Sequence, residues 1–459
     1  MSTPGTEYLT PAAGDGSGRV RRSVGTWITG LGATAAVALA GFIATPLLVR
    51  WLGDSAWGAW TVVGEWLGYL GISQLAFGPG AASIFLLRAH SAGTPGALTA
   101  MARRWFRLYC WAAVGLLPAG LALAWWAPQV LHPGPALARS LQWAVGIAAV
   151  GSVVVTPALL LRNVLDAAQR GYLVRGALLA QSLTITGLSL LWVAWGWGLV
   201  GMAAATVCGL LLGAGLWAWA ARRWLPGWRS TAAAEVSLGQ IWHYNWPLIV
   251  AMLGNQINVL TDNTVVGLTL GAAAVTGFAL TQTLPLLAGN HLADIGGVSW
   301  AALGDLRARG DARFATRVIE LSSTVLGMAV VLMATIGVVT PAFVQQWVGA
   351  QHFAGAALSW ATVATMVVFS FICFFAWLVD TQGDTRRRLG ASTIGSALNL
   401  GLSLVLVRHW GVAGVAVGTL VAYLATDAWY LPYLVSRQYG VPERADFGAF
   451  IREKGFSLD

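Results

Sequence analysis

The chain has 459 residues, 57% of them hydrophobic and only 10% charged, whereas soluble domains run near a quarter charged. A chain this apolar cannot cover its surface with polar groups and needs lipid as part of its solvent, which excludes a string of water-soluble domains. The formal charge of +9 does not point to nucleic acid, because the basic residues sit in short clusters between apolar stretches and not in one patch.

Residues 1–22 are rich in Gly, Ser, Thr and Pro and end in Arg19, Arg21 and Arg22, which predicts a disordered cytoplasmic N-terminus. The apolar run from Trp27 is about twice the length of a signal-peptide core and has no cleavage site, so it reads as an uncleaved first helix. Crossing a bilayer takes about 20 apolar residues. On that measure spans fall at 27–50, 56–80, 105–127, 141–163, 175–195 and 199–221, and again at 244–267, 273–300, 318–341, 355–379, 389–407 and 412–435. Two six-helix lobes result, 23–221 and 244–435, joined by a polar cytoplasmic linker at 222–243 and followed by a tail at 436–459.

Charge supports this division. If the N-terminus is inside, alternate loops collect all the basic residues except Arg50, Arg139 and Arg408, and one helix more or fewer would scramble the pattern. The expectation is a multi-pass protein of a bacterial inner membrane with both termini in the cytoplasm. Many of the 25 tryptophans, among them Trp51, Trp57, Trp126, Trp195, Trp197 and Trp410, fall near predicted boundaries, where an amphipathic ring prefers the interface.

The two halves echo each other. Trp197-Gly198-Leu199-Val200-Gly201 with Thr206 returns as Trp410-Gly411-Val412-Ala413-Gly414 with Thr419, and Leu52-Gly53 with Trp60 returns as Leu270-Gly271 with Phe278. Repeated bundles of this kind place a transport site between the halves. Enzyme chemistry is missing: the sequence contains neither a phosphate-binding GxxxxGK[ST] loop nor HExxH, and the loops predicted at 128–140 and 342–354 are short. Cys110, Cys208 and Cys373 lie inside apolar segments and read as core residues. No cofactor is expected beyond coupling to H+ or Na+.

Ionisable groups inside a span are costly, and their default reading is functional. Glu65 falls within the second helix. The seventh carries Asn255, Gln256, Asn258, Asp262 and Asn263, and spacings of three and four put Asn255, Asn258 and Asp262 on one face. Such a stripe either makes interhelical hydrogen bonds or lines a cleft; in the second case Asp262 binds a coupling cation. Asn290, His291 and Asp294 lie toward the inner end of the eighth helix, Asp294 being a second coupling candidate, and Asn399 and Asp427 are weaker signals of the same kind. Arg88, on an extension of the second helix, and Arg50, at the end of the first, are either ordinary interfacial charges or a pair of phosphate-binding groups at the two mouths.

The segment Pro46-Leu47-Leu48-Val49-Arg50-Trp51-Leu52-Gly53 leading to Gly58-Ala59-Trp60 resembles the opening of Wzx-type O-antigen flippases, members of the multidrug/oligosaccharidyl-lipid/polysaccharide (MOP) exporter superfamily. Asp262-Asn263-Thr264-Val265-Val266-Gly267, Phe278-Ala279-Leu280 and Asn399-Leu400-Gly401-Leu402-Ser403 running into Gly411-Val412-Ala413-Gly414 resemble the same family. The resemblance implies a V-shaped, all-α polytopic protein of about twelve transmembrane helices in two pseudo-repeat lobes. It also implies cation-driven translocation of an undecaprenyl-diphosphate-linked oligosaccharide for cell-surface polysaccharide and lipopolysaccharide synthesis, with membrane lipids and other polysaccharide-assembly proteins as partners. Arg50, Arg88, Glu65, Asn255, Asn258 and Asn290 would line the cavity, with Asp262 and Asp294 coupling the cation. A MATE-type multidrug antiporter is the alternative on the same fold. Where relatives often carry Asp-x-Gly in the second helix, this chain has Ala76-Phe77-Gly78, and Phe85 stands where a basic residue is usual.

Overall fold

The structure is a computed structural model that describes residues 16–76, 81–91, 96–228, 239, 246, 261–311, 313–381 and 385–439. Among them there is no strand. The first half consists of α1 (Gly16–Leu52), α2 (Asp54–Ala76), α3 (Ala81–Ser91), α4 (Ala97–Leu131), α5 (Pro135–Val155), α6 (Leu159–Ala167), α7 (Gly171–Ala194) and α8 (Gly198–Ala221). The second half consists of α9 (Asp262–Leu270), α10 (Ala272–Ala308), α11 (Phe314–Trp347), α12 (Ala356–Thr381), α13 (Thr385–Trp410), α14 (Val412–Ala425) and α15 (Asp427–Tyr439). Ten helical segments are long and apolar enough to cross a membrane. That count, taken over the described residues, is roughly consistent with the dozen expected.

Several boundaries differ from expectation for physical reasons. α1 begins at Gly16, so Arg19, Arg21 and Arg22 stand on helix and not on an unstructured lead. α4 runs for 35 residues, about 52 Å, against a hydrocarbon core of about 30 Å. Its first turns carry Arg103, Arg104 and Arg107, so charge that hydropathy assigns to a loop is helical here. α10 and α11 overrun in the same way, at 37 and 34 residues. α2 ends at Ala76, and Arg88 lies on the separate α3. The fourth span is split into α5 and α6 by a 3-10 turn at Thr156–Ala158, where the Pro157 ring removes a backbone donor. Most of 229–260 lies outside the described residues, including most of the linker.

The repeat is visible in the packing. In the first lobe α1 packs on α7, α4 on α5, α5 on α8 and α7 on α8; in the second, α9 packs on α13, α11 on α12, α12 on α14 and α13 on α14. The sequence echoes turn out to be matched turns. Gly53 and Gly271 join the first to the second helix of each lobe at φ of 80° and 88°, and Gly198 and Gly411 open the last helix of each at 51° and 57°. Positive φ is where a residue without Cβ is favoured.

The interior is unevenly shared. At the end of the bundle that is poor in arginine, a single core joins both lobes: Ala59, Val62 and Trp66 of α2 pack with Val265 and Val266 of α9 and Val275 and Phe278 of α10. At the arginine-rich end each lobe has its own core, one around Trp105, Tyr109 and Leu160, the other around Phe314, Phe374 and Leu434. One shared core and two separate ones make a V that closes at the arginine-poor end.

The closed end depends on Gly58. A Cβ there would fall inside the contact radius of the Ala272 carbonyl oxygen across the lobe boundary, whereas one at Gly64, two turns on, meets open space. Gly58→Ala should therefore cost about 1–3 kcal/mol, read as a lower unfolding temperature in detergent, while Gly64→Ala should leave that temperature unchanged.

Candidate functional site

The second lobe gathers oxygen atoms from three helices around the start of α9. Asp262 is the first residue of that helix. The Thr419 hydroxyl on α14 lies 3.3 and 3.5 Å from its two carboxylate oxygens. The same hydroxyl is 3.0 Å from Asn399 Oδ1 on α13 and 3.2 Å from the Val415 carbonyl. Ser403 Oγ lies 3.2 Å from Asn399 Oδ1 and 3.4 Å from the Val415 carbonyl. Two hydroxyl protons thus face a carboxylate, an amide oxygen and a backbone carbonyl, which leaves lone pairs in excess. Beside them, Asn263 Oδ1 is buried without a hydrogen-bond partner. A set made only of hard oxygen ligands suits a proton or a small hard cation better than a soft metal.

This cluster borders a cavity of about 140 Å³ whose lining includes Asp262, Asn263, Gln282, Asn290, Thr365 and Tyr423. Gln282 Nε2 is anchored to Thr362 Oγ1 at 3.0 Å, which ties α10 to α12 along the cavity wall. Asn399 and Ser403 are each 1% exposed and Thr419 is 5% exposed, so their polar atoms depend on one another and not on bulk water.

Glu65 is placed differently. It lies on α2, in the first lobe, and is 5% exposed. Its Oε1 accepts from the Asn263 side-chain amide at 2.8 Å and from the Asn263 backbone N–H at 3.3 Å. Its Oε2 accepts from the Thr264 backbone N–H at 2.8 Å and from the Thr264 hydroxyl at 2.7 Å. Trp66, the next residue of α2, donates its indole N–H to the same hydroxyl at 3.1 Å. The lobes are therefore hydrogen-bonded through the first turn of α9.

Of the residues singled out by sequence, Asp262 and Asn290 come together at one cavity, while Glu65 is engaged one residue beyond. Asp294 stands outside that lining, exposed and 4.0 Å from His291. Arg50 is exposed on the last turn of α1, away from the cluster. Asn255 and Asn258 lie outside the described residues, as does the side chain of Arg88. Sequence reasoning passed over Ser403, Thr419 and Gln282. The four-residue step from Asn399 to Ser403 was a signal that could have flagged the first.

No family profile and no curated protein matches the chain in sequence. Solved structures do match. A lipid II flippase MurJ in an inward closed conformation superposes with a TM-score of 0.70 at 14% identity, covering 91% of this chain and 87% of that one. An inward-facing MATE family transporter of the MOP superfamily gives 0.64 at 17% identity, covering 91% and 96%. An outward-facing MATE transporter gives 0.61 at 15% identity, covering 95% and 96%. At this identity the likeness speaks for the fold, and the fold of this chain is that of the MOP-superfamily transporters.

Proposed function

We propose that the chain is a flippase that carries a lipid-diphosphate-linked oligosaccharide across a bacterial inner membrane by alternating access, driven by a cation held at Asp262. The observation that carries the coupling is the excess of oxygen lone pairs around Asp262, Asn399, Ser403 and Thr419, beside a cavity lined by residues of the second lobe. The two separate cores at the arginine-rich end support a cleft that opens to the cytoplasm, if the arginine asymmetry sets orientation with both termini inside. The sugar and diphosphate would travel in that cleft while the polyprenyl tail stays in lipid. Arg88 and Arg50 would meet the diphosphate at the inner and outer mouths through bidentate contacts. Asn255, Asn258 and Asn290 would face the sugars. The resemblance to Wzx-type sequences and the likeness to a lipid II flippase favour this substrate class.

A MATE-type multidrug antiporter is the second reading, favoured by the likeness to MATE transporters. Deletion separates the two. A flippase mutant should lose surface polysaccharide and accumulate lipid-linked precursor, whereas an exporter mutant should become drug-sensitive with its polysaccharide intact.

In proteoliposomes, a labelled lipid-diphosphate glycan should cross faster with an imposed Na+ or H+ gradient than without one. Asp262→Asn should reduce the gradient-driven part by roughly tenfold or more while insertion and yield stay normal; gradient-driven transport at the wild-type rate in that variant would remove the coupling role. Thr419→Val, which deletes a ligand but no charge, should raise the cation concentration for half-maximal transport several-fold and spare the maximal rate.

A further inference from the structure

The mechanism above gives Glu65 no task, yet it is the most completely engaged buried carboxylate among the described residues. The first N–H groups of any helix lack intrahelical partners, and the start of a helix carries partial positive charge. At Asn263 and Thr264 those orphan donors, with two side-chain donors beside them, are filled by Glu65 from the opposite lobe. Other contacts across the boundary are weaker in kind. His352 Nε2 meets Asp54 Oδ1 at 2.9 Å, but the Asp54 side chain is 48% exposed and such a pair contributes little. Buried Thr276 donates to the Asp54 carbonyl at 2.7 Å and Trp347 donates its indole N–H to the Phe42 carbonyl at 2.7 Å, both neutral pairs. Glu65 is buried and accepts four hydrogen bonds, two of them from the backbone, where charged hydrogen bonds are strongest.

The first turn of α9 is thus held on both sides: Asp262 faces the oxygen cluster of its own lobe, and its next two residues hold Glu65 of the other. Glu65 is bonded to the two residues that directly follow Asp262, so the two carboxylates flank one helical turn and like charges there repel. We propose that Glu65 is the latch that keeps the arginine-poor end shut, and that a cation at Asp262 tightens it. An unneutralised Asp262 pushes against Glu65 and loosens the lobe contact; a bound cation cancels that push. A cation entering from the arginine-poor side thereby closes the door behind itself and leaves toward the other side, the direction an exchanger needs. Glu65 acts as a positioning residue and not as a ligand of substrate. The second half of this inference rests on the coupling reading of Asp262; the first does not.

The test uses the full-length protein in nanodiscs without substrate. Cys110, Cys208 and Cys373 are replaced by alanine, and spin labels are placed at Arg139→Cys and Gln351→Cys, exposed positions of the two lobes at the arginine-poor end. Distances are measured by pulsed electron resonance in sodium chloride against choline chloride. The wild type should shift toward the short distance with Na+. Glu65→Gln, which turns one acceptor into a donor facing donors, should raise the open-to-closed ratio roughly tenfold and stop responding, the size expected for lost charged hydrogen bonds. Thr264→Val removes the partner instead and should open the same end, which keeps the test valid if Glu65→Gln folds poorly. Asp262→Asn should sit in the closed distribution whatever the cation. Wild-type distributions in both Glu65→Gln and Thr264→Val would overturn the latch. Opening in those variants, with a wild type indifferent to Na+, would overturn only its link to Asp262.

Discussion

A helix that begins away from bulk water leaves amide groups that only a neighbouring polar group can satisfy, and each one left orphaned is costly. α9 starts at such a place, and its first turn finds its acceptor in the other lobe, at Glu65. The arrangement of the seam follows from that requirement. Two consecutive donors must face a carboxylate, so α2 has to lie against α9. The preceding residue, Asp262, is then turned into its own lobe, toward α13 and α14. One local deficit of hydrogen bonds thus sets both the contact between the lobes and the orientation of the oxygen cluster.

The apolar packing reinforces this geometry. Around the Glu65 contact the two lobes share one core, in which Trp66 both fills space and donates to Thr264. Toward the arginine-rich end the cores part, and the side chains there pack within their own lobe. Burial therefore favours closure at one end and is neutral about the other. Hydrogen bonds at the seam, and not bulk hydrophobicity, are then what decides between states, since lipid is as apolar as the core it would replace.

Much of this was legible in the residues alone. Arginine spacing marks the spans because the cost of placing a guanidinium in hydrocarbon is paid wherever it falls in the chain. The echoes Leu52-Gly53 with Leu270-Gly271 and Trp197-Gly198 with Trp410-Gly411 could be read because a positive φ demands the same residue in both copies. Helix ends were less legible. Arg103, Arg104 and Arg107 look like loop residues to hydropathy, although a helix continues into water as readily as it stops, and α4 does continue. At the site, Asp262 and Asn290 could be flagged because each is conspicuous inside an apolar span. Thr419 could not, and Ser403 only through its four-residue step from Asn399, since a hydroxyl in a membrane helix usually bonds its own backbone. Their convergence on Asn399 is a property of packing. The partner of Glu65 was beyond reach for the same reason: 198 residues separate it from Asn263, and no periodicity connects them.

The bare backbone contact between Gly58 and Ala272 gives the seam a fulcrum. With no side chain to compress, α2 can roll over the carbonyl of Ala272 without any rotamer having to change. That bearing lies at one extremity of the long lever formed by the 37 residues of α10. A tilt of about 10° there would sweep the far end of a helix roughly 55 Å long through about 10 Å, while the pivot itself barely moves.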